Sequence, residues 1–236
     1  RAGEPNQEEL EEIEGAEKEL EALSNRFKDG RFLVEKEATE SNFKTLSPDF
    51  DIIHLAIHGK GDAKSNFSAS LYFRSRYDSI DDGEFHAYEL YGLKLKALMA
   101  VLSSCESGLG KGYKGEGMIS MASAFTFAGC ENTLMSLWKV NDQASTALMD
   151  DFYQHLLEGE EIDDALREAK LNYLTSADEL TADPKTWAPL VAYGSLHQIF
   201  RKDRSSIYLA IIGSIAIVAL LTFLLLRRKK IIKEAI

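Results

Sequence analysis

Two short stretches of this chain are apolar at nearly every successive position, and they constrain the fold more than any other feature. After Asp51 the run Ile-Ile-His-Leu-Ala-Ile57 carries no acidic or basic chain, His54 aside, and Leu98-Met-Ala-Val-Leu102 is wholly apolar. A strand points alternate residues to opposite faces, so such a run fits a strand covered on both sides, as in a parallel sheet between helices. The remaining pattern agrees. Leu10, Ile13, Ala16, Leu20, Leu23 and Phe27 recur at helical spacing among Glu and Lys. Thr39 can cap a helix through Phe43 and Leu46. Helices are expected over 118–128, 142–157 and 162–174, and further strands over 31–34, 70–73, 132–138 and 187–193. Strands alternating with helices predict an α/β fold with a mainly parallel sheet flanked by helices.

In open α/β sheets ligands bind beyond the carboxyl ends of the strands. Two predicted strands end on reactive residues: one on His58-Gly59, the other on Ser104-Cys105-Glu106-Ser107-Gly108. If these strands are neighbours, imidazole and thiol face one cleft. His58 can then take the thiol proton or stabilise the thiolate, and the N–H groups of Gly59 and Cys105 can bind an oxyanion. Each residue also has an ordinary reading. A lone cysteine at a strand end is commonly a small buried residue, and His-Gly is commonly a turn. His54 shares the strand with His58 but stops short of its end, so it is read as a packed neighbour. Glu106 is expected to point away, because an adjacent carboxylate raises a thiol pKa.

Gly110-Lys-Gly-Tyr-Lys-Gly115 has the spacing of a dinucleotide-binding loop between strand and helix. A nucleotide-binding α/β domain is therefore an alternative reading. Two details weigh against it: residues 105–109 separate the strand from the first glycine, and Met135 and Ser136 stand where an acidic residue is expected. No Gly-Lys-Ser/Thr follows, so it is not a Walker A loop either. The two cysteines, Cys105 and Cys130, are too few for a disulfide scaffold or a zinc site. A bridge between them is not expected, since Cys105 ends a strand and Cys130 sits in a small-residue turn. The five histidines are dispersed, none paired with another at metal-binding helical spacing, so neither metal nor cofactor is expected.

Charge narrows the partners. The net charge is −11, and the basic tail from Arg227 contributes +4, leaving −15 on the rest. A body so acidic argues against nucleic acid, whose phosphates need a basic surface. The run from Ile207 to Leu226 is uncharged and twenty residues long. It has the length of a helix that spans the hydrocarbon of a bilayer, and basic residues flank it. The expected organisation is a folded domain over 1–205, a single transmembrane helix over 206–226 and a short basic tail over 227–236. Five basic residues after the run against three before it lean toward a cytoplasmic tail with the domain outside the cytoplasm. A tail this short equally suits a tail-anchored protein with a cytosolic domain. The chain starts at Arg1, so it is expected to be part of a longer protein.

Several segments taken together resemble the CHAT-domain family. They are His54-Leu-Ala-Ile-His58-Gly59, Leu102-Ser-Ser-Cys105-Glu-Ser-Gly108, Gly115-Glu116-Gly117, Ala124-Phe-Thr-Phe-Ala-Gly129, Ser136-Leu-Trp-Lys-Val-Asn-Asp142 and Trp187-Ala-Pro-Leu-Val191, with Gly15-Ala-Glu-Lys-Glu-Leu20 near the start. Ala56-Ile57 departs mildly from the family's usual histidine motif. The family resembles caspases and separase. The resemblance implies a caspase-like fold and a His58–Cys105 dyad with Cys105 as nucleophile, acting on a protein or peptide substrate. It also implies a preceding region that completes the domain and carries tetratricopeptide repeats for protein partners. By analogy with arginine-specific separase, Asp142 stands where an acidic residue would line the pocket for a basic side chain before the cut. Asp142 is equally placed to cap the following helix. The expected activity is that of a membrane-anchored cysteine endopeptidase, conditional on activation as is common in caspase-like sites. A dormant CHAT module serving as a signalling scaffold is the alternative of a different class.

Overall fold

The computed structural model describes residues 15–60, 69–103, 116–138, 142–201 and 214–215, with backbone alone for 60, 116–120 and 142. The chain divides into one compact unit, Arg1–Phe200, and a second, Arg201–Ile236. In the second, Ser214 and Ile215 are helical. Among the described residues no helix is long and apolar enough to cross a membrane. The expected membrane-spanning run lies, apart from those two residues, outside them.

Among the described residues of the first unit seven strands form two sheets. β1 (Ile52–Leu55), β5 (Met99–Leu102), β6 (Asn132–Ser136) and β7 (Leu190–Gly194) make a four-stranded sheet in that spatial order. The first three are parallel and β7 is antiparallel, so the sheet is mainly parallel as predicted. β2 (His58–Lys60), β3 (Ser70–Tyr72) and β4 (Glu84–His86) make a separate antiparallel sheet. The helices are α1 (Ala16–Arg26), α2 (Glu40–Leu46), α3 (Glu116–Phe127), α4 (Asp142–Leu157), α5 (Ile162–Ser176) and the short α6 (Pro184–Trp187).

The apolar runs follow from burial on both faces. In β5, Met99 and Val101 pack with Leu23 of α1, Leu148 and Phe152 of α4 and Leu166 of α5. Ala100 and Leu102 face the other way, toward Met121 and Phe125 of α3, Phe43 of α2 and Leu71 and Phe85 of the small sheet. Period-two alternation thus divides one strand between two cores, and neither face reaches water. Thr39 caps α2 as expected, accepting from the Asn42 N–H at 3.3 Å. α3 ends in a Schellman motif: Gly129 N–H bonds Thr126 O and Cys130 N–H bonds Phe125 O, both at 3.0 Å. Gly129 adopts φ +109° there, and a Cβ would meet the Leu95 carbonyl oxygen at 2.5 Å, so the turn requires glycine.

Three expectations are corrected. The first apolar strand does not run to His58. Its ladder with β5 closes where Ser103 N–H bonds Leu55 O at 3.2 Å, the chain turns at Ala56-Ile57, and His58 then pairs with Tyr72 in the small sheet. Residues 31–34 form no strand; they lead as a loop into a short 3₁₀ turn at Glu35–Glu37. The last strand begins at Leu190, because Trp187 still belongs to α6, opened by Pro184 and capped by Asp183.

Candidate active site

β1, β5 and β6 are parallel, so their carboxyl ends open on one edge of the sheet. Leu55, Leu102 and Met135 are register partners in a row across these strands. Each expected site residue lies a few positions beyond this row: His58 three after Leu55, Cys105 three after Leu102, and Asp142 seven after Met135. The fold therefore brings the three strand ends that lead to these residues to one edge. His58 and Gly59 open the small sheet there, His58 half-buried and Gly59 buried opposite Leu71. Cys105 and the glycine loop lie outside the described residues.

Asp142 is the first residue of α4 rather than the residue before it. A carboxylate in a first helical turn suits the positive end of the helix dipole. Between β6 and α4, Ser136 Oγ donates to Trp138 O at 2.6 Å and the Trp138 indole N–H donates to Lys185 O at 2.9 Å. Leu137 N–H bonds Pro189 O at 3.0 Å. These bonds tie the carboxyl end of β6 to the α6–β7 segment and give Trp138 a defined position at the edge.

The second cysteine is chemically set apart. Cys130 is a free thiol, 2% exposed, with its Sγ 3.1 Å from Asn132 O. Burial pushes its pKa up to about 11, so it stays a thiol and offers no nucleophile at neutral pH.

Just inside the same edge, on the face covered by α1 and α4, lies a polar cluster that the sequence pattern did not signal. His54, packed as expected, has its side chain 10% exposed, with Nε2 3.1 Å from Glu19 Oε1. Its Nδ1 lies 2.9 Å from the Tyr153 hydroxyl. Ser103 Oγ donates to Glu19 Oε2 at 3.2 Å and sits 3.3 Å from His54 Nε2. Burial, reinforced by the Glu19 charge, holds the Tyr153 pKa well above its usual value, so the hydroxyl keeps its proton. Glu19 occupies an apolar-spaced face of α1, and nothing in its local sequence separates it from the exposed acids beside it.

Among the described residues, His155, Glu158 and Glu160 bring ligand atoms within 4.8 Å of one another. Within it His155 lies 3.2 Å from Glu160, and Asp151 is 3.8 Å away.

The CHAT-domain family model matches residues 2–195. The chain belongs to the CHAT-domain family. CHAT domains are of the caspase-like cysteine peptidase type, and the mainly parallel sheet between helices agrees with that assignment. The domain is also similar to tetratricopeptide repeat protein 28 of Mus musculus, 30% identical over 109 residues, or 46% of this chain. The Homo sapiens protein of the same name is 31% identical over 109 residues. The match spans 4% of the length of each relative.

Proposed function

We propose that this CHAT domain is a cysteine endopeptidase with His58 and Cys105 as its catalytic pair. The observation that carries the reading is the parallel pairing of β1 and β5 with Leu55 opposite Leu102. The strands that lead to His58 and to Cys105 are thus neighbours, which supports a site built from both. The inertness of Cys130 supports Cys105 as the nucleophile.

In this mechanism His58 accepts the Cys105 thiol proton and the thiolate attacks the scissile carbonyl carbon. The N–H groups of Gly59 and Cys105 hold the resulting oxyanion. Collapse of the tetrahedral adduct breaks the C–N bond, and His58 returns the proton to the leaving amine. Water, deprotonated by His58, then hydrolyses the thioester and releases the carboxylate product and the thiol. Asp142, beyond the end of β6, selects a basic side chain before the cut by charge and hydrogen bonding. The uncharged run over 206–226 anchors the domain to a membrane as a single span, with the basic tail on the cytoplasmic side.

The test is cleavage of a proteome-derived peptide library by this protein, with Cys105→Ala and His58→Ala alongside. The reading expects cleavage after Arg or Lys that both substitutions abolish. Cleavage after other residues would retain the dyad and discard Asp142 as the specificity residue. The names of the relatives favour a second reading, a protein-interaction module working beside tetratricopeptide repeats. Cleavage absent in the wild type, together with partner binding unchanged by Cys105→Ala, would favour that scaffold role.

A further inference from the structure

Glu19 of α1 is 4% exposed, and among the described residues its carboxylate meets two groups, His54 from β1 and Ser103 from the end of β5. Tyr153 of α4, 1% exposed, closes the cluster through His54 Nδ1. The titratable groups that face one another here are therefore Glu19, His54 and Tyr153, one from each of three elements. A buried carboxylate is costly unless paired, and an apolar side chain at this position would commonly stabilise the fold as well or better. α1 is also docked by other contacts. Leu23 enters the core, Arg26 pairs with Asp150 at 2.7 Å, and Phe27 packs edge-on against Tyr153 at 5.5 Å.

What the carboxylate does touch is the chain leading into the candidate site. His54 stands four residues before His58. Ser103 stands two before Cys105 in the sequence. The Ser103 hydroxyl contacts Glu19 and His54 at once, so the end of β5 is tied both to its neighbouring strand and to α1.

We propose that Glu19 is a positioning residue: by holding Ser103 and His54 it directs the chain from β5 toward the place where Cys105 meets His58, and so couples the nucleophile to the docking of α1. The proposal rests on the His58–Cys105 reading. It makes α1 a control point. A partner that draws α1 away from α4 withdraws the carboxylate, and the end of β5 loses its tie to α1.

The experiment measures the rate of Cys105 alkylation by iodoacetamide across pH on the full chain in detergent, read by mass spectrometry of the Cys105 peptide. Glu19→Gln keeps the shape and removes the charge; Ser103→Ala removes only the hydroxyl. Both are expected to slow alkylation at neutral pH about tenfold and to move the profile toward that of a free thiol, near ~8.5. His58→Ala, run in parallel, reports on the dyad by itself. If His58→Ala shifts the profile while Glu19→Gln and Ser103→Ala leave it as in wild type, the positioning role is refuted. That refutation stands even where both variants unfold at lower temperature, because a merely structural contact moves stability and not the profile. If Glu19→Gln and Ser103→Ala shift the profile and His58→Ala does not, the dyad falls and the clamp on Cys105 stands. Should Glu19→Gln fail to fold, Ser103→Ala decides the matter.

Discussion

Replacing Lys44 by Met tests how the small sheet that begins with His58 is held to the domain. Lys44 projects from α2 into three carboxylates: its Nζ lies 2.5 Å from Glu40, 3.0 Å from Asp81 and 2.7 Å from Glu89. Glu40 is 2% exposed and also accepts the Gly83 N–H at 3.0 Å, just before β4. The Lys44 side chain itself is 26% exposed. Removing one partner from a buried ion pair costs ~3–5 kcal/mol, and the remaining exposure points to the lower end, about 3 kcal/mol. For a domain of this size that lowers the melting temperature by roughly 6–12 °C.

The pH dependence gives a second signature. Burial works against the Lys44 charge, but the hydrogen bonds it donates to Glu40, Glu89 and Asp81 outweigh this and raise its pKa above the ordinary lysine value. A raised lysine stabilises fully below its unfolded value and loses that contribution only as pH climbs through the folded one, so the wild type keeps the whole effect at neutral pH. Burial raises the pKa of Glu40 even with Lys44 present. Without Lys44 it rises further, which destabilises the variant above the unfolded glutamate value and ceases to do so as pH falls below it. Thermal unfolding of Lys44→Met should therefore show a deficit at pH 7.5 that narrows toward pH 4. A loss under ~1 kcal/mol at pH 7.5, or a deficit that does not change with pH, would refute the account of this cluster.

Other outcomes follow from single contacts. Cys130 should resist alkylation in the folded protein at pH 8 and react only after denaturation; mass spectrometry of native and unfolded samples checks this. Gly129→Ala should destabilise by at least ~2 kcal/mol in urea melts, because it combines an unfavourable positive φ with a clash against the Leu95 carbonyl. Thr39→Ala should cost about 1 kcal/mol in the same assay, the ordinary value of an N-cap hydroxyl. Tyr153→Phe should cost ~1–3 kcal/mol, because it leaves His54 Nδ1 without the hydroxyl in a buried site.

Much of the architecture was legible in the sequence. Successive apolar residues in 52–55 and 99–102 announced strands covered on both faces, and α4 spans the predicted 142–157. Thr39 marked the start of α2 by its side-chain chemistry. The sequence also identified the strands that lead to His58, Cys105 and Asp142, and the parallel pairing puts the ends of those strands on one edge. These features are local: burial on both faces, helical period and capping are written into neighbouring residues.

Pairing and charge neutralisation between distant segments were decided only by the tertiary structure. The chain reads as apolar through Ile57, yet β1 ends at Leu55, because its partner β5 turns away at Ser103 and His58 finds Tyr72 instead. The antiparallel sense of β7 is set by β6, and no pattern within 190–194 expresses it. Glu19 looks like the surface acids around it until His54 and Ser103, 35 and 84 residues further along, are folded against it. A strand's partner and a buried charge's counter-group both belong to other parts of the chain, so their effects appear only once the chain has closed on itself.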